Sequence, residues 1–162
     1  MIRPATVADA EAIGAVQRRT WVHAYADILD VEDLRPAIGD AARWREALAE
    51  DGLPTWVWDQ DGRIAGFAAA GRSRDGDMAP EVGEVFAIYV DPPAQGAGVG
   101  SALLDHAVGW LRDAGFRAAV LWTFEANGAA RAFYEHRGWR LVDPDPEHTD
   151  RWAPEVRYRR AL

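Results

Sequence analysis

Apolar residues recur along this chain with two periods, and the changes of period divide it into elements. Glu84, Phe86, Ile88 and Val90 alternate with Val85, Ala87 and Tyr89, the period of two that marks a strand. Asp91-Pro92-Pro93 stops that strand, because proline offers the ladder no donor. The glycines Gly96, Gly98 and Gly100 follow, and residues 101–112 then take up the 3.6 period of an amphipathic helix that ends near Gly115.

The flanking chain reads in the same way. Residues 2–5 form a short strand, and Thr6 with Asp9 resembles a capping box for a helix reaching about Thr20, with Ile13 and Val16 inward. An aromatic segment, 21–29, follows as a helix–loop corner or a pocket wall. A short helix starts at 31–34. Asp40 caps 41–50, where Trp44 and Leu48 lie one turn apart, and Asp51-Gly52 ends that helix. Residues 55–58 and 63–70 are strands joined by a hairpin turn at 59–62, and Gly66 permits close packing or a bulge. The polar, glycine-rich stretch 71–80 predicts a mobile loop. Beyond the central helix, 117–123 is a buried strand, parallel to the first through a right-handed crossover. Asn127-Gly128 breaks it, 129–137 is a helix stopped by Gly138, and strands at 139–142 and 155–160 flank a Pro- and Asp-rich loop. This order predicts an α/β fold in one domain, 1–162, with a mixed sheet of about seven strands and helices on both faces.

Composition narrows the function. At 162 residues the chain can bury a real core, and it carries neither a run of eighteen apolar residues nor a signal-peptide pattern, so a soluble cytoplasmic protein without membrane contact is expected. The absence of cysteine excludes disulfides and an acyl-cysteine intermediate. Four histidines without ligand spacing argue against a metal. A net charge of −8 argues against nucleic-acid binding and suits a cationic substrate.

The glycine-rich junction carries the candidate chemistry. Where a strand turns into a helix, the unpaired N–H groups and the positive dipole end attract an anion, and glycines let a phosphate approach the backbone. A Walker pattern and a Gly-x-Gly-x-x-Gly fingerprint are both absent. A tight turn without a ligand gives the same local pattern.

Two motifs together resemble the GNAT superfamily of acyl-CoA-dependent N-acyltransferases. One is Ile88-Tyr-Val-Asp-Pro with Gln95-Gly-Ala-Gly-Val-Gly100, similar to the family's Q/R-x-x-G-x-G/A coenzyme loop. The other is Asn127-x-x-Ala130-x-x-Phe133-Tyr134-Glu135-x-x-Gly138-Trp139. The close match covers roughly 82–142. The resemblance implies a sheet splayed in the middle, its central strand leaving the parallel neighbour after Ile88. It implies acetyl-CoA (coenzyme A) held by Ile88, Tyr89, Val90, Gln95, Gly96, Ala97, Gly98, Val99, Gly100 and Ser101, and by Asn127, Ala130, Arg131, Phe133 and Tyr134. Many relatives place Arg or Lys between the glycines, where this chain has Ala97. The phosphates would then rely on N–H groups and the helix dipole, with Arg131 reaching across.

Acyl transfer to an amine needs a deprotonated amine, a stabilised thioester oxygen and a departing thiolate. A lysine-like amine has a pKa near 10.4, so deprotonation at pH 7 costs about 4.6 kcal/mol. Glu84, on the face of Phe86 and Ile88, is the candidate base, or an electrostatic binder of the amine; a plain ion pair is the competing reading. Tyr134 is the candidate acid for the thiolate, and backbone N–H near Ile88 would meet the oxyanion, as the resemblance implies. Direct attack in a ternary complex is expected. Trp21, Tyr25, Glu84, Phe86, Trp122 and Phe124 are candidate walls for an amine acceptor: a small amine, an amino acid, a drug, or a peptide or protein amine. A noncatalytic acyl-CoA-binding regulatory domain and a ligand-free structural domain are the alternatives. The 152–158 edge is a candidate surface for pairing two copies into a homodimer.

Overall fold

The computed structural model describes residues 1–26, 38–49, 52–142 and 153–162. The helix expected at 31–34, Asp51 of the expected helix stop, the loop 143–152 and Trp152 of the candidate pairing edge lie outside the described residues. The elements are β1 (Ile2–Pro4), α1 (Ala10–Tyr25), α2 (Ala41–Ala49), β2 (Thr55–Gln60), β3 (Arg63–Arg72), β4 (Val82–Val90), α3 (Val99–Asp113), β5 (Ala118–Phe124), α4 (Gly128–His136), β6 (Arg140–Val142) and β7 (Glu155–Ala161). The strands form one mixed sheet in the order β1-β2-β3-β4-β5-β7-β6, flanked by helices. This is the α/β architecture that the periodicity predicts. The chain packs as two units, Met1–Ala70 with Ala87–Ala107, and Gly71–Phe86 with Val108–Leu162.

In the first unit, β1, β2 and β3 pair antiparallel. Asp61 and Gly62, at φ 53° and 87°, make the two-residue turn between β2 and β3, and positive φ at both positions is what the right-handed twist of a hairpin favours. The register shifts where Trp58 faces Gly66 and Asp59 faces Ile64, leaving Ala65 as a bulge. Gly66 thus meets both expectations: it adjoins the bulge, and a Cβ there would lie 3.0 Å from the Tyr89 carbonyl oxygen and 3.1 Å from Leu103 Cδ1. Ile13 and Val16 of α1 meet Val57, Ile64 and Phe67 in the core. Trp44 and Leu48 of α2 pack on that cluster, and Asp40 caps α2 by accepting from the Ala42 N–H at 2.8 Å.

Helix α1 continues past the predicted end at Thr20 to Tyr25. The Thr20 hydroxyl donates back to the Val16 carbonyl at 2.9 Å, the local partner a threonine finds when it sits inside a helix, and it also lies 3.2 Å from the Val90 carbonyl oxygen. Ahead of α1, the Thr6 N–H donates to Asp9 Oδ2 at 2.8 Å, and Arg3 grips the same carboxylate with both terminal nitrogens, at 2.8 and 2.9 Å. The Arg3 hydrogen bonds, opposed by burial and helped by Thr6, hold the Asp9 carboxyl down at about 2. A lowered folded pKa means that the stabilisation is complete above the ordinary carboxylate value near 4 and is lost as pH falls through about 2. Asp9→Asn is therefore expected to cost up to about 2 kcal/mol at pH 7 and much less at pH 2. Urea denaturation at the two pH values checks this.

In the second unit, β5 pairs antiparallel with β7 along its whole length, and β7 with β6. β4 and β5 are parallel through Val82–Ala118, Gly83–Ala119 and Glu84–Val120. The parallel ladder ends at Glu84, earlier than the Ile88 that the resemblance implies. Gly83 allows a close approach, since a Cβ there would lie 2.6 Å from Leu111 Cδ2 and that methyl would have to move. Tyr158 of β7 is fully buried; its hydroxyl donates to Glu135 Oε1 at 2.6 Å and accepts from Arg131 Nε at 3.1 Å. Burial, and then the bond to Glu135, push this phenol above its ordinary value, so it stays neutral.

The stretch 71–80, expected to be mobile, is instead tied down. β3 runs on to Arg72, and the Ser73 N–H donates to the Val82 carbonyl at 3.1 Å. The Arg74 N–H donates to Glu84 Oε2 at 2.9 Å. Asp75 accepts from Trp122 Nε1 at 3.0 Å and Arg157 Nη1 at 3.1 Å, and Asp77 accepts from both terminal nitrogens of Arg157 at 2.8 and 2.7 Å. Polar composition predicts exposure only when the partners are solvent. Here they are residues far along the chain.

Candidate active site

The glycine-rich junction forms as the sequence predicts. A 3-10 turn, Pro92–Ala94, follows β4, and Gly96 and Gly98 then adopt φ of 76° and 82°, the left-handed region where glycine is favoured. α3 starts at Val99, two residues earlier than its apolar period suggests. Val99, Gly100 and Ser101 therefore form the first turn, whose N–H groups have no intrahelical acceptor. An ideal Cβ at Gly96 or Gly98 meets no heavy atom within 4 Å, so the space beside this backbone is open. The Gln95 side chain does not point away from the strand end. Its Nε2 donates to the Val90 carbonyl at 3.0 Å and braces the turn.

A second brace was not legible as a motif. Asp91, fully buried at the end of β4, accepts from Arg19 Nε at 2.7 Å, Arg19 Nη2 at 3.0 Å and Arg63 Nη2 at 2.8 Å. Its N–H donates to the Ala65 bulge carbonyl at 2.9 Å, and its carbonyl accepts from Ala94 at 2.8 Å. The strand end that launches the loop is thus fixed from side chain and backbone together. The Arg19 hydrogen bonds, then Arg63, hold the Asp91 carboxyl below its usual range against the opposing effect of burial. Only the position of Asp91 before two prolines hinted at this, because Arg19 and Arg63 are remote in sequence.

Also in the first unit, Tyr89 receives a hydrogen bond from Trp21 Nε1 at 3.1 Å, and Trp21 meets Tyr25 edge-on at 4.9 Å. Both candidate acceptor residues on α1 are largely buried. Ile88 and Val90 lie on the same strand as Tyr89, directly before the loop.

The second unit holds the remaining candidates. Glu84 is buried on β4 and accepts the Arg74 backbone N–H as well as Arg74 Nη2, the latter at 3.1 Å. Two residues along, the Phe86 ring lies under the Arg74 guanidinium, 4.2 Å from its centroid. Trp122 and Phe124 separate in role. Phe124 is buried, whereas Trp122 is half-buried, bonded to Asp75 and covered by the Arg157 guanidinium at 5.3 Å. Asn127 caps α4, its Oδ1 accepting from the Ala130 N–H at 3.1 Å. Arg131, expected to reach toward phosphate, has its guanidinium bonded to the Tyr158 hydroxyl and to the Glu125 carbonyl at 3.1 Å each. Tyr134 is half-buried, with ring centroids of Phe133, Trp139 and Tyr158 at 5.3, 6.3 and 6.2 Å.

A strand leading through left-handed glycines into a helix N-terminus, within a mixed sheet in which β4 and β5 pair in parallel, defines an α/β protein with a glycine-rich strand–helix junction. The chain belongs to the acetyltransferase (GNAT) family, whose pattern matches residues 18–139. It is 39% identical over 106 residues to a mycothiol acetyltransferase of Geodermatophilus obscurus, covering 65% of this chain and 31% of that protein. It is 33% identical over 151 residues to the mycothiol acetyltransferase of Saccharomonospora viridis, covering 86% of this chain and 45% of that protein. The chain thus spans less than half the length of these curated relatives. Among solved structures, the PaiA N-acetyltransferase of Thermoplasma acidophilum, in complex with coenzyme A, superposes with a TM-score of 0.84 over 100% of this chain and 98% of that one. At 17% identity, that likeness shows the fold. No helix among the described residues is long and apolar enough to cross a membrane.

Proposed function

We propose that this chain is an acetyl-CoA-dependent N-acetyltransferase acting on a primary amine by direct attack in a ternary complex. The observation that carries this reading is the loop itself. Gly96 and Gly98 in left-handed conformations, with open space beside them, lead into the first turn of α3. That arrangement fits a pyrophosphate, held by the N–H groups of residues 96–101 and the helix dipole without a cation at Ala97, whereas the Gln95 N–H is taken by the Pro92 carbonyl at 3.2 Å. Bound acetyl-CoA supplies the thioester carbonyl and a thiolate leaving group. In this reading Glu84 takes the amine proton, the N–H near Ile88 steadies the carbonyl oxygen, and Tyr134 delivers a proton to the departing sulfur. Asn127 contacts the pantetheine arm. With no cysteine in the chain, no acyl-cysteine intermediate competes with direct attack.

One observation favours a second reading. Glu84 is already ion-paired with Arg74, which is compatible with a noncatalytic domain that binds acyl-CoA and regulates another activity. Thiol release from acetyl-CoA, measured against alkylamines, amino acids, polyamines, aminoglycosides and peptides, separates the two. Release with any of these amines supports the enzyme. Coenzyme binding by calorimetry with no release across the panel supports the regulatory reading, and failure to bind coenzyme overturns both. The name of the curated relatives makes an amine of the mycothiol type a further member of the panel.

A further inference from the structure

The side chains of Glu84 and Phe86 project from one face of β4, two residues apart. Together they offer a cation what it seeks: a carboxylate oxygen and the negative face of an aromatic ring. One cation already sits there. Arg74 places Nη2 3.1 Å from Glu84 Oε1 and its guanidinium carbon 4.2 Å above the Phe86 ring. The exposures of the two partners are very unequal. The Glu84 side chain is 5% exposed and that of Arg74 is 71% exposed.

That inequality matters for what happens when the arginine leaves. Glu84 keeps its place without the guanidinium, because its other oxygen, Oε2, accepts the backbone N–H of residue 74 at 2.9 Å. The Arg74 side chain is a mobile type, with several rotatable bonds and most of its surface in water. Its departure uncovers a fixed carboxylate oxygen beside a ring face, the two groups that hold an ammonium ion. The guanidinium therefore acts as a tethered stand-in for a substrate cation.

We propose that Glu84 and Phe86 bind the ammonium group of the acceptor, and that Arg74 is a built-in occupant which the acceptor displaces. The substrate class is a cationic alkylamine, and this assignment of an acceptor rests on the acetyltransferase reading. A tethered occupant lowers apparent affinity by the fraction of time that it closes the site. If Arg74 closes it nine-tenths of the time, removing the side chain tightens cation binding about tenfold.

The test uses the full chain without acetyl-CoA, with n-butylammonium as the probe and ring-labelled phenylalanine NMR as the readout. Arg74→Ala is expected to bind n-butylammonium about tenfold tighter than the unaltered chain. Glu84→Gln added to Arg74→Ala is expected to remove that gain. Neutral n-butanol should gain nothing from either change. Unchanged n-butylammonium affinity in a natively folded Arg74→Ala overturns the proposal, and so does an equal gain for n-butanol, which would show mere steric uncovering. Calorimetry of coenzyme A on the same samples keeps the two readings apart. Tightening without coenzyme binding leaves the cation site standing and removes the transferase, whereas coenzyme binding without tightening does the reverse.

Discussion

Tyr134→Phe is expected to lower the turnover of acetyl-CoA with an amine by tens to a few hundred-fold while leaving the fold intact. The size follows from the leaving group. A thiol has a pKa near 8.5, so a thiolate departs tolerably well without help, and a phenol near 10 is a mild donor. General acid catalysis by such a pair belongs at the lower end of its usual range of about a hundred- to ten-thousand-fold. Phenylalanine keeps the ring that meets Phe133, Trp139 and Tyr158, so those packing contacts are retained. Tyr158→Phe is the matched control. Its hydroxyl is buried between Glu135 and Arg131, so its loss should lower stability by about 1–3 kcal/mol and leave turnover nearly unchanged. Steady-state kinetics beside thermal melts decides between them. Unchanged turnover in Tyr134→Phe would remove its role as the acid.

Asp91→Ala is expected to cost about 2–3 kcal/mol and to weaken coenzyme binding as well. The carboxylate is fully buried, with three charge-assisted hydrogen bonds from two arginines. Breaking a buried pair typically costs about 3–5 kcal/mol, because the remaining charge is stranded. Here the remaining charges are Arg19 and Arg63, with side chains 49% and 63% exposed, and these can rehydrate. The estimate is therefore reduced to about 2–3 kcal/mol, a loss of roughly 4–12 °C in melting temperature for a domain of this size. Asp91 stands at the strand end that launches the glycine loop, so a shift there moves the loop proposed to cradle the phosphates. The pH dependence has a definite sign. The Asp91 carboxyl titrates below its usual value, so its stabilisation is complete above about pH 4 and is lost as pH falls through the lowered value. The destabilisation of Asp91→Ala should accordingly shrink as the solution is acidified below that range. A deficit that stays constant down to the lowest pH would mean that the ion pairs contribute little.

Much of this protein is written locally, and the reason is that local chemistry decides those features. The alternation of Val85, Ala87 and Tyr89 with Glu84, Phe86 and Ile88 specifies β4, and Asp91-Pro92-Pro93 specifies its end. Gly96 and Gly98 announce a left-handed turn because almost no other residue adopts it at low cost. Asn127-Gly128 marks the break after β5, and the structure adds that the Asn127 side-chain oxygen caps α4. The acetyltransferase family was legible for the same reason: its loop and its α4 motif are short, contiguous stretches.

What only the tertiary structure decided are the long-range partners. Thr20 could have ended α1 or continued it, and in the fold it lies inside the helix, its one hydroxyl proton shared between the Val16 carbonyl and the Val90 carbonyl, 70 positions along the chain. The stretch 71–80 has the composition of a mobile loop, yet Glu84, Trp122 and Arg157 supply its polar partners. Arg131 resembled a phosphate ligand on its helix, but Tyr158, 27 positions along the chain, engages its guanidinium. Asp91, Arg19 and Arg63 formed no pattern at all, because 72 and 28 positions separate the carboxylate from its two cations. Backbone conformation depends mainly on near neighbours, and a sequence states it directly. The partner of a charge is whichever opposite charge the folded chain brings within about 3 Å, and that distance exists only once the sheet has formed.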